Sequence, residues 1–105
     1  MLQAIQACFQ ENRLLYTRHA RYEMVAEEFG QITEKEVFQA VQNGEVIESY
    51  EYDTPYPSVL IFGRTILGRP IHAVIAYSEE DDLAIVVTVY EPDPVRWVNY
   101  RRRIL

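Results

Sequence analysis

The chain has 105 residues, 49% of them hydrophobic and 25% charged, with five prolines and four glycines. That composition belongs to one globular domain and excludes a disordered or fibrous protein. A net charge of −6 argues against a general nucleic-acid binder, and no apolar run approaches the ~20 residues that cross a bilayer, so a cytoplasmic protein without membrane contact is expected.

Leu2, Ile5, Cys8 and Phe9 recur at helical spacing without Gly or Pro, predicting an amphipathic first helix to about Asn12. Cys8, the only cysteine, cannot form an internal disulfide and reads as a small buried hydrophobe. After Leu14-Leu15-Tyr16, Thr17 is placed to cap a second helix whose buried stripe is Tyr22, Val25, Ala26 and Phe29, widened by Ala20 and Met24 and stopped at Gly30. Thr33 followed by Glu36 has the spacing of a capping box, so a third helix runs to about Gln42 and ends at Asn43-Gly44.

From Glu45 the period changes to two, and four strands follow: Glu45 to Tyr52, Ser58 to Ile66, Arg69 to Ser78 and Leu83 to Glu91. Charge on both faces of the first makes it an edge strand, open to an added strand or to a second copy of the chain. Ser78-Glu79-Glu80-Asp81-Asp82 reads as a solvated hairpin loop, because a calcium loop spaces its ligands differently. Val95 to Arg103 reads as a short terminal helix after Pro92-Asp93-Pro94. The predicted fold is α+β: N-terminal helices packed on one face of a four-stranded antiparallel β-meander, with a short C-terminal helix. If Leu67-Gly68 is a two-residue turn, Gly63 opposes His72, which in turn opposes Val89. His72 then shares the helix-facing side with Val59, Ile61, Val74, Ala76, Ile85, Val87 and Val89, while Phe62, Arg64, Thr88 and Tyr90 lie on the other side.

Charge is unevenly spread. Residues 1 to 60 hold ten acids against four bases, the rest six against six, and nine of the ten basic residues are arginine, the side chain suited to bidentate phosphate or carboxylate pairing.

Tyr16-Thr17-Arg18-His19-Ala20 with Met24, Ile32-Thr33 with Glu36-Val37, Asn43-Gly44-Glu45-Val46-Ile47-Glu48, Gly68-Arg69-Pro70-Ile71-His72, and Thr88-Val89-Tyr90-Glu91-Pro92-Asp93 with Trp97 together resemble the bacterial DUF4258 family and, through it, the RelE/ParE-like toxin superfamily. The resemblance implies the toxin of a toxin–antitoxin pair, neutralised by an antitoxin that wraps it, in this group often a small zinc-binding protein encoded next door. Characterised members of the superfamily cleave mRNA or inhibit gyrase, so a metal-independent endoribonuclease is one expectation. A non-catalytic protein-interaction module of the same fold is the other, and the acidity of the chain favours it.

RNA cleavage without a metal needs a base, an acid and cations for the developing phosphorane charge. The candidates for that chemistry are His19, His72, Arg69 and Tyr90, with Arg64, Arg101, Arg102 and Arg103 for RNA phosphates. Structural readings stand beside the catalytic ones: on the helix-facing side His72 reads first as a hydrogen-bonded structural histidine, His19 pairs with the sheet or with substrate, Arg64 reads as a sheet-edge ion pair, the arginine triplet as a solubilising tail, and Tyr90 as half-buried packing. No Cys/His metal spacing, phosphate-binding glycine loop or nucleophile elbow is present, so neither metal nor cofactor is expected.

Overall fold

The computed structural model describes all residues 1–105. Its elements run α1 (Leu2–Gln10), β1 (Leu14–Tyr16), α2 (Arg18–Ala26), α3 (Glu34–Gln42), β2 (Glu45–Tyr50), β3 (Ser58–Arg64), β4 (Pro70–Ser78), β5 (Leu83–Tyr90), β6 (Trp97–Val98) and β7 (Arg102–Arg103). It is a mixed α+β fold, with three helices against a five-stranded sheet in the order β1-β5-β4-β3-β2. No helix is long and apolar enough to cross a membrane.

The helices form where local chemistry dictates. In α3 the Thr33 hydroxyl accepts from the Glu36 N–H while the Glu36 carboxylate accepts from the Thr33 N–H, a complete capping box. In α2 the Thr17 hydroxyl accepts from the Ala20 N–H. Ile5, Cys8 and Phe9 of α1, Ala20 and Met24 of α2, and Val37, Ala40 and Val41 of α3 bury against Val59, Ile61, Ile71, Ala73, Ile75, Ala84, Val86 and Val89, so all three helices cover the same sheet face. At Gly63 the contact is backbone to backbone: a Cβ there would lie 1.8 Å from the Ala40 carbonyl oxygen.

The predicted four-stranded meander is corrected to five strands. Leu14–Tyr16 adds to β5 in parallel, Leu14 beside Ala84 and Tyr16 beside Val86; a three-residue strand paired with one some 70 residues away leaves no local periodicity to read. The register is also corrected. Between β3 and β4 the Thr65 N–H donates to the Arg69 carbonyl and encloses a three-residue turn, Ile66 to Gly68, with the Gly68 N–H donating to the Thr65 carbonyl and Gly68 holding φ at +91°. This is the longer hairpin type with glycine in the left-handed region. Phe62 therefore opposes His72, and Gly63 opposes Ile71. Between β4 and β5 the expected pairing holds near the 79–82 loop, Ala76 with Ile85, but a bulge at Val87 shifts it so that His72 opposes Tyr90. Ile71, Ala73 and Ile75 thus face the helices. His72, Val74 and Ala76 face away, reversing the predicted side for β4.

Two further expectations fail. Val95 to Arg103 is no helix: Asn99 and Tyr100 both have positive φ (53° and 61°) in a tight turn closed by the Arg101 N–H on the Val98 carbonyl, making a β6–β7 ribbon. The predicted buried stripe of α2 faces solvent. Tyr22, Val25 and Phe29 are 72%, 68% and 48% exposed, while the smaller Ala20 and flexible Met24 point inward and the helix stops at Ala26, short of Gly30.

The sheet edges differ. Along β5, beyond the reach of β1, Thr17 donates to the Val86 and Val87 carbonyls, Glu23 accepts from the Val89 N–H at 3.0 Å and Glu27 from the Glu91 N–H at 2.8 Å. Helix α2 therefore closes that edge with side chains. At the other side β2 pairs with β3 alone, as an edge strand, and is bulged at Ile47.

Candidate functional site

The sheet face turned away from the helices is covered by the C-terminal ribbon, and His72 lies beneath it. The His72 side chain is 0% exposed and boxed by rings: Trp97 at 4.5 Å, Tyr90 at 5.2 Å and Phe62 at 5.7 Å between centroids, all close to edge-on. Its Nε2 lies 2.6 Å from the Tyr100 carbonyl oxygen, and its Nδ1 lies 3.1 Å from the Tyr90 hydroxyl. A carbonyl can only accept, so Nε2 carries the proton and donates to it. Nδ1 is then the bare nitrogen and accepts from the Tyr90 O–H. Burial pushes the imidazole pKa down to about 4 against a weaker opposing pull from the Tyr100 carbonyl, and burial raises the Tyr90 phenol to about 12. Both groups are held neutral with their hydrogen bonds filled.

Arg69 is equally committed. Its side chain, 18% exposed, donates to Glu91 at 2.6 Å, to Glu36 at 3.1 Å, to the Gln31 carbonyl at 2.9 Å and to the Gly30 carbonyl. It clasps the loop after α2, the first turn of α3 and the end of β5, a use of the planar guanidinium fork that engages all three of its nitrogens.

The remaining predicted residues scatter. His19 is exposed on α2, 3.3 Å from Glu23, and does not approach His72. Arg64 donates to the Gly68 carbonyl and stacks over Phe62 and Tyr100. Arg101 pairs with Glu45 and also lies over Phe62. Arg103 pairs with Glu48 at 2.9 Å and lies 4.7 Å from the Trp97 ring centroid, holding the Glu48 carboxyl below its ordinary range. Only Arg102 of the triplet is free of ion pairs. The structure therefore brings His72, Tyr90 and Arg103 together and leaves His19, Arg64 and Arg102 apart.

Tyr90 and Arg103 open onto a cleft of about 660 Å³ between the end of β5, the turn after α2 and the ribbon. Glu27, Glu28, Glu91 and Asp93 line it against Arg96 and Arg103, with Phe29, Tyr90, Val95 and Trp97 as apolar wall. Arg69 and Glu48 already neutralise Glu91 and Arg103. What faces a visitor is aromatic surface with the carboxylates of Glu27, Glu28 and Asp93 around one unpaired cation, Arg96, an excess of negative charge that suits a cationic side chain better than a phosphodiester. Sequence reasoning missed Glu28, Asp93, Val95 and Arg96, because their cleft exists only where the Asp93–Arg96 turn after β5 comes beside the turn after α2.

A family model described as a domain of unknown function, DUF4258, matches residues 16–91. No curated protein sequence and no solved structure matches the chain.

Proposed function

The chain belongs to the DUF4258 family, and from that membership and the geometry of its cleft we propose that it is the protein-binding, non-catalytic member of a bacterial toxin–antitoxin pair acting in the cytoplasm. A RelE/ParE-like relationship is part of this reading and rests on the order of helices before an antiparallel hairpin series. The observation that carries the non-catalytic side is His72: the one buried imidazole is sealed under Trp97, neutral, and filled at both nitrogens. Arg69, the cation nearest in sequence, is consumed in holding the fold. The cleft beside them offers rings and an excess of carboxylates over the single unpaired Arg96, which fits a basic segment of a protein partner such as a small zinc-binding antitoxin encoded next door.

One observation favours the endoribonuclease reading: Tyr90 and Arg103 meet in the cleft, with His72 directly behind the Tyr90 hydroxyl. Catalysis there would require the ribbon to lift and expose the imidazole.

Titration of the purified chain with the product of the adjacent reading frame, followed by calorimetry, separates the two. Binding that weakens with salt, and by about tenfold in Asp93→Lys or Val95→Lys, supports the cleft as the partner site. Unchanged affinity in both variants would place the partner elsewhere. Slowed growth and shortened mRNA half-lives on induction without the partner would restore the ribonuclease.

A further inference from the structure

The outward side of α2 carries a row that the fold does not use. Ala20 and Met24 point into the core, and opposite them Arg18, Tyr22 and Val25 follow one another at helical spacing; Phe29 is exposed in the turn just beyond the helix, after Glu27 leaves helical geometry. All four are exposed, which makes this an amphipathic helix with two apolar sides, one of them unpartnered.

Its charges run against the helix dipole. The first turn has no acid and the last turn no base; instead Arg18 and Arg21 stand at the positive end, and Glu27 and Glu28 follow the negative end. Such an order destabilises an isolated helix. Arg18 and Glu28 are exposed and take part in none of the chain's ion pairs.

We propose that α2 packs antiparallel against α2 of a second copy of this chain, forming a two-fold symmetric dimer through the Arg18–Tyr22–Val25–Phe29 row. With the two-fold axis between Tyr22 and Val25, Tyr22 meets Val25 of the second copy, and Arg18 meets Phe29 and Glu28 of the second copy. The same contacts repeat by symmetry. The polarity that is unfavourable within one helix becomes complementary between two, each basic end lying on an acidic end, with an arginine against an aromatic ring. A basic heterologous helix would match Glu28 but would set like charges against Arg18 and Arg21; the second copy satisfies both ends at once. One nine-residue helix buries much less than the about 1,600 Å² of a standard interface, so the dissociation constant is expected on the order of 100 µM.

Light scattering of the full chain between about 1 µM and about 1 mM tests this. The mass should rise with concentration from one chain toward two. Val25→Asp should abolish the rise, and Arg18→Glu and Glu28→Arg should each weaken association about tenfold. An equimolar mixture of Arg18→Glu and Glu28→Arg should regain it, since each new charge then meets its opposite in the other chain. Both charge changes agree with the helix dipole, so neither should lower the melting temperature, and loss of the dimer reads as loss of the contact. Constant monomer mass for the wild-type chain, a dimer indifferent to Val25→Asp, or a mixture no tighter than its components would each overturn the proposal and leave the row to a different partner. Glu28 and Phe29 also line the cleft of the partner proposal, so a dimer and that partner compete there; Val25→Asp, outside the cleft, reads the dimer alone, and Asp93→Lys, outside the row, reads the partner alone.

Discussion

Stability should depend on pH through His72. The imidazole has a folded pKa of about 4 against 6.5 when free, so between those values the unfolded chain binds a proton that the folded chain refuses. Stability is then fully present above pH 6.5 and is lost as pH falls toward 4. At about 1.4 kcal/mol per pH unit, the separation corresponds to about 3 kcal/mol, of which about 2 kcal/mol should already be gone at pH 5. Urea unfolding at half-unit steps from pH 7 to pH 4.5, on the wild-type chain and on His72→Gln, isolates this contribution. The variant begins less stable, because Tyr90 and the Tyr100 carbonyl lose a partner, but its curve should lack the slope between pH 6.5 and 5. Parallel curves would refute the buried neutral imidazole. Removing the roof with Trp97→Ala should bring the His72 titration, followed by its ring proton shift, back toward 6.5.

Gly63→Ala should destabilise by about 3 kcal/mol, at the upper end of overpacking, because the new Cβ meets the Ala40 carbonyl and α3 must lift from β3; thermal unfolding reads it. Arg69→Ala strands the half-buried carboxylates of Glu36 and Glu91 and should also lose about 3 kcal/mol. Arg69→Lys should recover less than half, since a point charge cannot serve four acceptors; denaturation midpoints of both variants check this. Thr33→Ala removes the acceptor for the Glu36 N–H and should lose about 1 kcal/mol, visible as a lower urea midpoint.

Elements set by local chemistry could be read from the sequence alone. The capping box at Thr33 and Glu36 placed α3 correctly, Thr17 marked the start of α2, and alternation located β3, β4 and β5. What depended on counting across a turn or on distant partners could not be read. One extra residue in the loop before Gly68 and one bulge at Val87 moved His72 to the opposite face. The parallel strand Leu14–Tyr16 needed a partner far along the chain. In α2 the row Tyr22, Val25 and Phe29 announced an apolar face without saying which of two faces points inward. Ala20 and Met24 won because Ala20 lets the helix sit close to β5, where Glu23 and Glu27 cap the sheet edge. For the candidate site, the chemistry of His72 and Tyr90 was visible as residue types, but their sealing depended on Asn99 and Tyr100 turning the chain back over them.

Incubation of the purified chain with end-labelled mRNA, alongside Tyr90→Phe, bears on the absence of catalysis. With His72 sealed and the Tyr90 proton donated to it, the RNA should remain full length with both proteins, even at chain concentrations in excess of substrate. Cleavage by the wild-type chain that disappears in Tyr90→Phe would contradict a non-catalytic module and make the His72–Tyr90 pair an active site.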